Sequence, residues 1–536
     1  MTGPRPTPTT TSSDRLTVVS WALAGVAAAA AGLAASELVA GLLPGFPSLI
    51  IAVGTQIIAL QPPGAKDFMV GLFGTNDKLA LNLLIVVVAL LIAAGVGLLA
   101  RRHGGLATLV IVLFGAVGFL AAAADPAVTV PVALMSAIVA AGVTYAALNV
   151  LVAIAAQDAR PGPRTAGRQR SGPAEAGGPA WWTRRRFLIS SGGLLGAAAL
   201  VGVIGRGLLD RQHPAEGSGA AVALPSHETV PALTADQALT APSISPLITP
   251  VESFYRTDTE LLIPQVDAST WQMKVTGMVD HELTFTYAQL LAMPLFDQYV
   301  TIACVSNEVG GDLVGNALWT GVHLKAILAM AGVQAGATQI VGRSTDGFTV
   351  GFPTAWAMDP SREPMVAVGM DGAPLPPVHG YPARLIVPGL FGYVSATKWL
   401  AEIELTTREA VDGYWVPLGW AKDGPILTQS RIDSPADGAN IPPGSTVIDG
   451  VAWAPDRGIA TVEISVDSGP WQAAQLARAI SKATWVQWMV PWQAASGQHV
   501  IEVRATDGMG VVQTSDLSPP APDGARGHMR IAVTVT

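Results

Sequence analysis

A single cysteine occurs in the 536 residues, Cys304, and it stands where a thiol can do chemistry. It follows Val300-Thr301-Ile302-Ala303, which reads as a buried strand, and precedes a polar, glycine-rich loop over 307–315. Trp319-Thr320-Gly321-Val322 then reads as the opening of a helix. A thiol at a strand end, facing backbone donors, suits a soft-metal ligand or a nucleophile. Taken alone, the same residue also fits a small apolar side chain in a core.

The elements that must position this thiol come in two materials. Hydrophobic residues make up 50% of the chain and charged ones 13%, which sets it apart from ordinary soluble proteins. Residues 1–209 carry 14 Lys and Arg against 7 Asp and Glu, whereas 210–536 carry 17 against 32. A basic, alanine-rich front is therefore joined to an acidic, tryptophan-bearing back. One cysteine allows no intrachain disulfide, and more than 300 residues in the back portion can build a core without one. No basic patch with interleaved aromatics argues for nucleic acid.

The front reads as a polar tail (1–16) and an α-helical bundle. Five apolar runs near 17–43, 79–100, 105–124, 130–156 and 187–209 are each long enough to cross a bilayer. The first four occupy 17–156 and the fifth stands apart after a basic linker, 157–186. The stretch 46–60 is too short to span and reads as an interfacial helix or a re-entrant segment. Arg5, Arg15, Arg101, Arg102 and the arginines from Arg160 to Arg186 place three segments in the cytoplasm. Everything beyond about residue 210 is then extracytoplasmic, carried by a multi-pass protein of the inner or plasma membrane. Glu37 lies inside the first span and reads as a carboxyl near the outer headgroups or one paired in the bundle. None of the eight histidines falls within a span and no C-x-x-C-H occurs, so neither haem nor an iron–sulfur cluster is expected. Thr183-Arg184-Arg185-Arg186-Phe187-Leu188 resembles the twin-arginine export signal, a route for domains folded before export. No small-residue cleavage site follows, so the span is expected to stay as an anchor.

After a spacer over 210–250, short alternating strands (271–275, 348–350, 364–368, 383–387) mix with helical stretches at 286–292 and 322–332, the pattern of an α+β domain over 251–424. Residues 425–536 alternate strictly between turns, at 445–451, 462–466, 501–505 and 531–535, which is the signature of a β-sandwich. Its tryptophans (Trp453, Trp471, Trp485, Trp488 and Trp492) read as core.

Four ordered blocks carry a resemblance. Cys304 with Asn307, Gly310-Gly311 and Trp319-x-Gly-Val-x-Leu324 is similar to the core of the sulfite-oxidase-fold molybdopterin oxidoreductases. FYRTDT (254–259) resembles the segment opening the pterin site. The stretch from Met370-Asp371-Gly372 through His379-Gly380 to Arg384 resembles the grip on the cofactor phosphate, and Pro388-Gly389 to Lys398-Trp399-Leu400 the closing cofactor block. The resemblance implies a molybdenum–molybdopterin cofactor with Cys304 as the thiolate metal ligand and Asn307 beside it in the catalytic loop. It also implies cofactor contacts from Phe254, Tyr255, Arg256, Asp258, Asp346, His379, Arg384, Ser395 and Lys398. Arg256, His379, Arg384 and Lys398 supply the cations and donors an anionic phosphate needs, while Asp346, in an Asp-Gly turn, reads equally as a turn residue. The family's C-terminal domain is immunoglobulin-like and serves dimerisation in its dimeric members, so a homodimer is a candidate partner state.

Departures set the expected substrate. Sulfite oxidases follow the cysteine with Gly-Asn-Arg-Arg, where this chain has Val305-Ser306-Asn307-Glu308-Val309. It also lacks their tyrosine near Val368 and has Thr257 and Asp258 for the asparagine and histidine after Arg256. A site short of arginines and holding Glu308 disfavours a dianion such as sulfite. The expectation is a membrane-anchored oxidoreductase performing two-electron oxygen-atom transfer on a sulfoxide-type small molecule, exchanging electrons with a separate carrier. The alternatives are a non-catalytic binding protein on a retained fold and an enzyme using Cys304 as a nucleophile.

Overall fold

The computed structural model describes residues 12–62, 72–73, 77–126, 128–158, 181–214, 222–241, 243–359 and 361–536. The chain forms two compact units, Met1–His213 with Glu260–Leu262, and Pro214–Thr259 with Ile263–Thr536. Most of the tail expected over 1–16 and of the linker expected over 157–186 lies outside the described residues. The described end of the tail is helical, continuous with the helix Ser12–Leu42. The last bundle helix starts at Trp181, ahead of its apolar core.

In the first unit, among the described residues, five helices are long and apolar enough to cross a membrane: Val18–Leu42, Lys78–Ala100, Gly104–Ala123, Val130–Ile154 and Arg186–Gln212. Small residues let backbones approach closely. A Cβ built on Gly205 would lie 2.6 Å from the Glu37 carbonyl carbon. The short apolar helix Leu49–Leu60 is capped by Ser48, whose Oγ accepts from Ile51 N at 3.3 Å and donates to the Glu37 carboxylate. Glu37 is thus buried and paired within the bundle, as burial of a carboxylate demands. The segment Glu260–Leu262 belongs to this unit: Lys78 Nζ donates to Glu260 O at 2.7 Å, and Leu261 packs with Ala40, Ile51 and Leu209.

The second unit holds two five-stranded sheets and a two-sheet sandwich. The strand Leu295–Ala303, rich in β-branched and aromatic residues, pairs antiparallel with Val314–His323, in register Ala303 with Val314. Met365–Met370 continues that sheet, and Arg384–Ile386 pairs with it. Trp319–Val322, expected to open a helix, lies in the second of these strands. Pairing on both edges holds it extended, and the helix begins at Leu324. The loop correspondingly ends before Val314 rather than at Gly315. In the other sheet Gln272–Gly277 and Leu400–Thr406 run parallel side by side.

In the C-terminal portion, Gln429–Ser434, Gly444–Trp453 and Val486–Ala494 form one sheet, and Ile459–Val466, Gly497–Asp507 and Met529–Val535 the other. Ile448, Trp488 and Val490 meet Val462, Ile464 and Val503 between them. Trp453 and Trp485 instead join the hydrophobic core of the two five-stranded sheets that precede the sandwich, so the two parts share one interior. Trp471 and Trp492 are half-exposed.

Asp449, on the strand Gly444–Trp453, is 1% exposed, and neither carboxylate oxygen has a hydrogen-bond partner. Burial, then the neighbouring Asp433 carboxylate, pushes it up to about 7. A folded-state value above the unfolded one makes this group cost stability as pH rises from the ordinary aspartate range towards 7. Asp449→Asn is expected to raise Tm by about 2–4 °C at pH 8 and to leave it unchanged near pH 4, by differential scanning fluorimetry.

Candidate active site

Cys304 terminates the strand Leu295–Ala303 and is 8% exposed. Its N–H donates to Leu313 O at 2.9 Å, closing the base of the intervening loop. Inside that loop Asn307 N donates to Cys304 O at 3.1 Å, and Asn307 Oδ1 accepts from Leu313 N at 2.8 Å. The Asn307 side-chain oxygen is therefore engaged in bracing the loop. Gly311 allows this: a Cβ there would stand 2.6 Å from Asn307 Oδ1. The thiol is consequently held on a short, internally bonded loop whose ends are fixed by the strand register. Ser306, two residues on, has a buried hydroxyl with no partner.

Beside it the segment 254–259 and the turn Pro377–His379 converge. Phe254 packs edge-on against Trp319 (5.8 Å between centroids) and His379 (5.6 Å), and stacks on Tyr255 at 5.3 Å. Burial, then the Cys304 sulfur, raises the Tyr255 phenol. Asp258 Oδ2 accepts from both Arg256 Nε (2.8 Å) and Lys398 Nζ (2.9 Å). Gly380, at φ 104°, lets this turn close on Lys398, whose Cα and Cβ would stand 3.0 Å from any added Cβ. Burial lowers Lys398 to about 8 against the pull of Asp258. His379 Nε2 donates to Val251 O at 3.2 Å, and burial with the nearby Arg384 charge lowers it to about 4, so it is neutral at pH 7.

Arg384 is the least satisfied member. It is 5% exposed, its Nη1 donates to His379 O at 3.1 Å, and its guanidinium lies 5.0 Å over the Trp319 ring. Its Nε has no partner, and among the described residues it forms no ion pair. Burial lowers it to about 10, which still leaves it cationic. Thr397, adjacent to Lys398, likewise has a buried hydroxyl without a partner.

Phe254, Tyr255, Arg256, Asp258, His379, Arg384 and Lys398 are thus brought together as the sequence reading grouped them. Asp346 accepts from Phe348 N at 2.9 Å, a turn contact, yet Lys398 and Asp258 also act on its carboxyl, which burial raises. Ser395 donates to Phe391 O (2.9 Å) and Leu390 O (3.4 Å), bonds local to its own turn. Val368 is a core residue of its strand. Trp319 was read from sequence as part of a motif and not as a site residue, and neither Thr397 nor Ser306 was assigned a role there. A buried tryptophan in a strand and two hydroxyls carry no marker until the orphaned partners around them are seen.

A family model described as "Oxidoreductase molybdopterin binding domain" matches residues 260–415. This domain belongs to the molybdopterin-binding oxidoreductases. Mitochondrial sulfite oxidase of Homo sapiens is 28% identical over 51% of the chain and 58% of its own length, and that of Rattus norvegicus 30% over 43% and 49%. NADH nitrate reductase of Solanum lycopersicum is 32% identical over 28% of the chain and 19% of its own. The chain spans about half the length of the sulfite oxidases it matches. A crystal structure of the sulfane dehydrogenase SoxCD from Paracoccus pantotrophus aligns at 24% identity, covering 56% of this chain and 85% of that one, with a TM-score of 0.47.

The residues of the molybdopterin-binding domain fit the group. An anionic phosphate gives the buried Arg384 Nε and the Thr397 hydroxyl the acceptor each lacks among the described residues, while the single thiol stands ready as a soft ligand. Arg384→Met is therefore expected to raise the Tm of the cofactor-free protein by about 2–4 °C, because an unpaired buried charge is removed. The same variant is expected to retain no pterin after gel filtration, measured by its fluorescent oxidation product. Retention in the wild-type chain is expected to fall as pH rises through about 8, where Lys398 loses its proton.

Proposed function

We propose that the chain is a membrane-anchored, extracytoplasmic molybdenum–pterin oxidoreductase acting on a sulfoxide-type substrate. The observation that carries this reading is the buried Arg384, a cation without a counter-ion among the described residues, which is held between the His379 carbonyl and the Trp319 ring. Cys304 is assigned as the thiolate metal ligand. Arg384, Lys398 and neutral His379 are assigned to the pterin phosphate, with Phe254 and Tyr255 walling the pocket and Asp346 at its edge. When bound, the molybdenum centre supplies two-electron oxygen-atom transfer.

Charge supports a neutral substrate over sulfite. One carboxylate, Asp258, accepts from both Arg256 and Lys398, so it offsets part of the cationic field. The loop after Cys304 carries the exposed Glu308 and no arginine. Tyr255 is assigned to bring a phenol beside the thiol, from a segment other than the strand around Val368. The five apolar helices support anchoring, and the arginines flanking them support an outward-facing catalytic domain. The reading further divides the chain at about 250 and 425, treats the C-terminal sandwich as immunoglobulin-like and able to pair with a second copy, and requires a separate electron carrier.

Elemental analysis of the purified full chain tests the assignment. About one molybdenum per chain is expected; a folded protein free of metal and pterin would instead establish a binding protein. Cys304→Ser is expected to abolish turnover without altering Tm by more than about 2 °C. Methyl sulfoxides with an artificial electron donor are expected to be reduced at least tenfold faster (~1.4 kcal/mol of barrier) than sulfite is oxidised with an artificial electron acceptor.

A further inference from the structure

The loop that carries Cys304 is held from outside by the C-terminal sandwich. Arg431, on the sandwich strand Gln429–Ser434 and with 11% of its side chain exposed, spreads its guanidinium over three segments. Its Nη1 donates to Gly311 O of the thiol loop at 3.0 Å, its Nη2 to Ser245 Oγ at 2.9 Å, and its Nε to Asp433 Oδ1 at 2.7 Å. Asp433 Oδ2 in turn accepts from Ser245 N at 3.1 Å, which orients the fork. At the loop tip, Gly310 has φ 78°, and a Cβ placed there would stand 2.8 Å from Met529 Sδ. Met529 opens the sandwich strand Met529–Val535.

Two sandwich side chains therefore bear on Gly310-Gly311, while Asn307 and Leu313 hold the remainder of the loop to Cys304. We infer that Arg431 and Met529 are positioning residues: they set the loop, and through it the direction and accessibility of the Cys304 sulfur. The consequence for catalysis rests on Cys304 being the metal ligand; the mechanical claim does not. A planar guanidinium suits this task because its rigid fork holds Gly311 O while staying paired with Asp433, which the flexible point charge of a lysine does not reproduce.

The test uses the full chain in detergent, produced in a host unable to make the pterin, with iodoacetamide alkylation of its single thiol followed by mass spectrometry. Arg431→Met and Met529→Ala are each expected to speed alkylation about tenfold, with Arg431→Lys only partly restoring the slow rate. Ser245→Ala removes another arm of the fork without touching Gly311 and is expected to leave the rate at the wild-type value. Tm measured in parallel separates loop release from global loosening. In protein loaded with molybdenum, Arg431→Met is expected to lower kcat about tenfold with KM within about twofold of wild type. Unchanged alkylation in both Arg431→Met and Met529→Ala would overturn the inference, as would an equal rise in Ser245→Ala. Failure of the functional reading looks different: the alkylation pattern holds and no molybdenum is present in protein from a competent host.

Discussion

A guanidinium enclosed by protein, with no carboxylate among the described residues to answer it, is the constraint around which the domain is arranged. Arg384 begins a strand at the sheet's edge, between the Trp319 ring and the His379 carbonyl, and neither is a full counter-charge. A buried cation of this kind costs free energy unless an anion completes it. The residues gathered near it follow the same logic. Lys398 is drawn in by Gly380, His379 is kept neutral, and Asp258 answers Arg256 and Lys398 but leaves Arg384 unpaired.

The thiol solves a different problem by different means. Its position depends on backbone register, not charge: the antiparallel pair ends at Ala303 and Val314, and the loop between is cross-braced by Asn307. Both devices are local, yet neither stands alone. Thr301, three residues before the cysteine, donates its N–H to Ala483 O at 2.8 Å, and its Oγ accepts from Trp485 N at 2.8 Å. Trp485 Nε1 and Asn316 Nδ2 then share Leu247 O as acceptor. The incoming segment, the thiol strand and the sandwich are thereby tied at one point beneath the site.

That arrangement gives the C-terminal portion a role besides any contact with a second copy. Its outer sheet face carries Trp453 and Trp485 into the catalytic core, and Arg362 pairs with Asp456 across the same boundary. An interior shared to this extent makes the two portions one packing unit.

The sequence alone determined the ingredients: five apolar helical runs, the alternation of the sandwich strands, one thiol after a buried strand, and the cations that follow it in order. Hydropathy period and residue chemistry are local properties, so they are legible without coordinates. Its misreading near the site was local as well: Trp319, Thr320 and Val322 favour strands, and pairing on both sides keeps them extended up to the helix that starts at Leu324. Tertiary structure alone decided that Asn307 braces its own loop, that Arg384 has no partner while Asp258 has two, that Ser395 bonds within its turn, and that Trp453 and Trp485 serve the neighbouring core. Each of these depends on which groups compete for the same donor or the same buried space. Residues distant in sequence enter that competition only when the chain has folded.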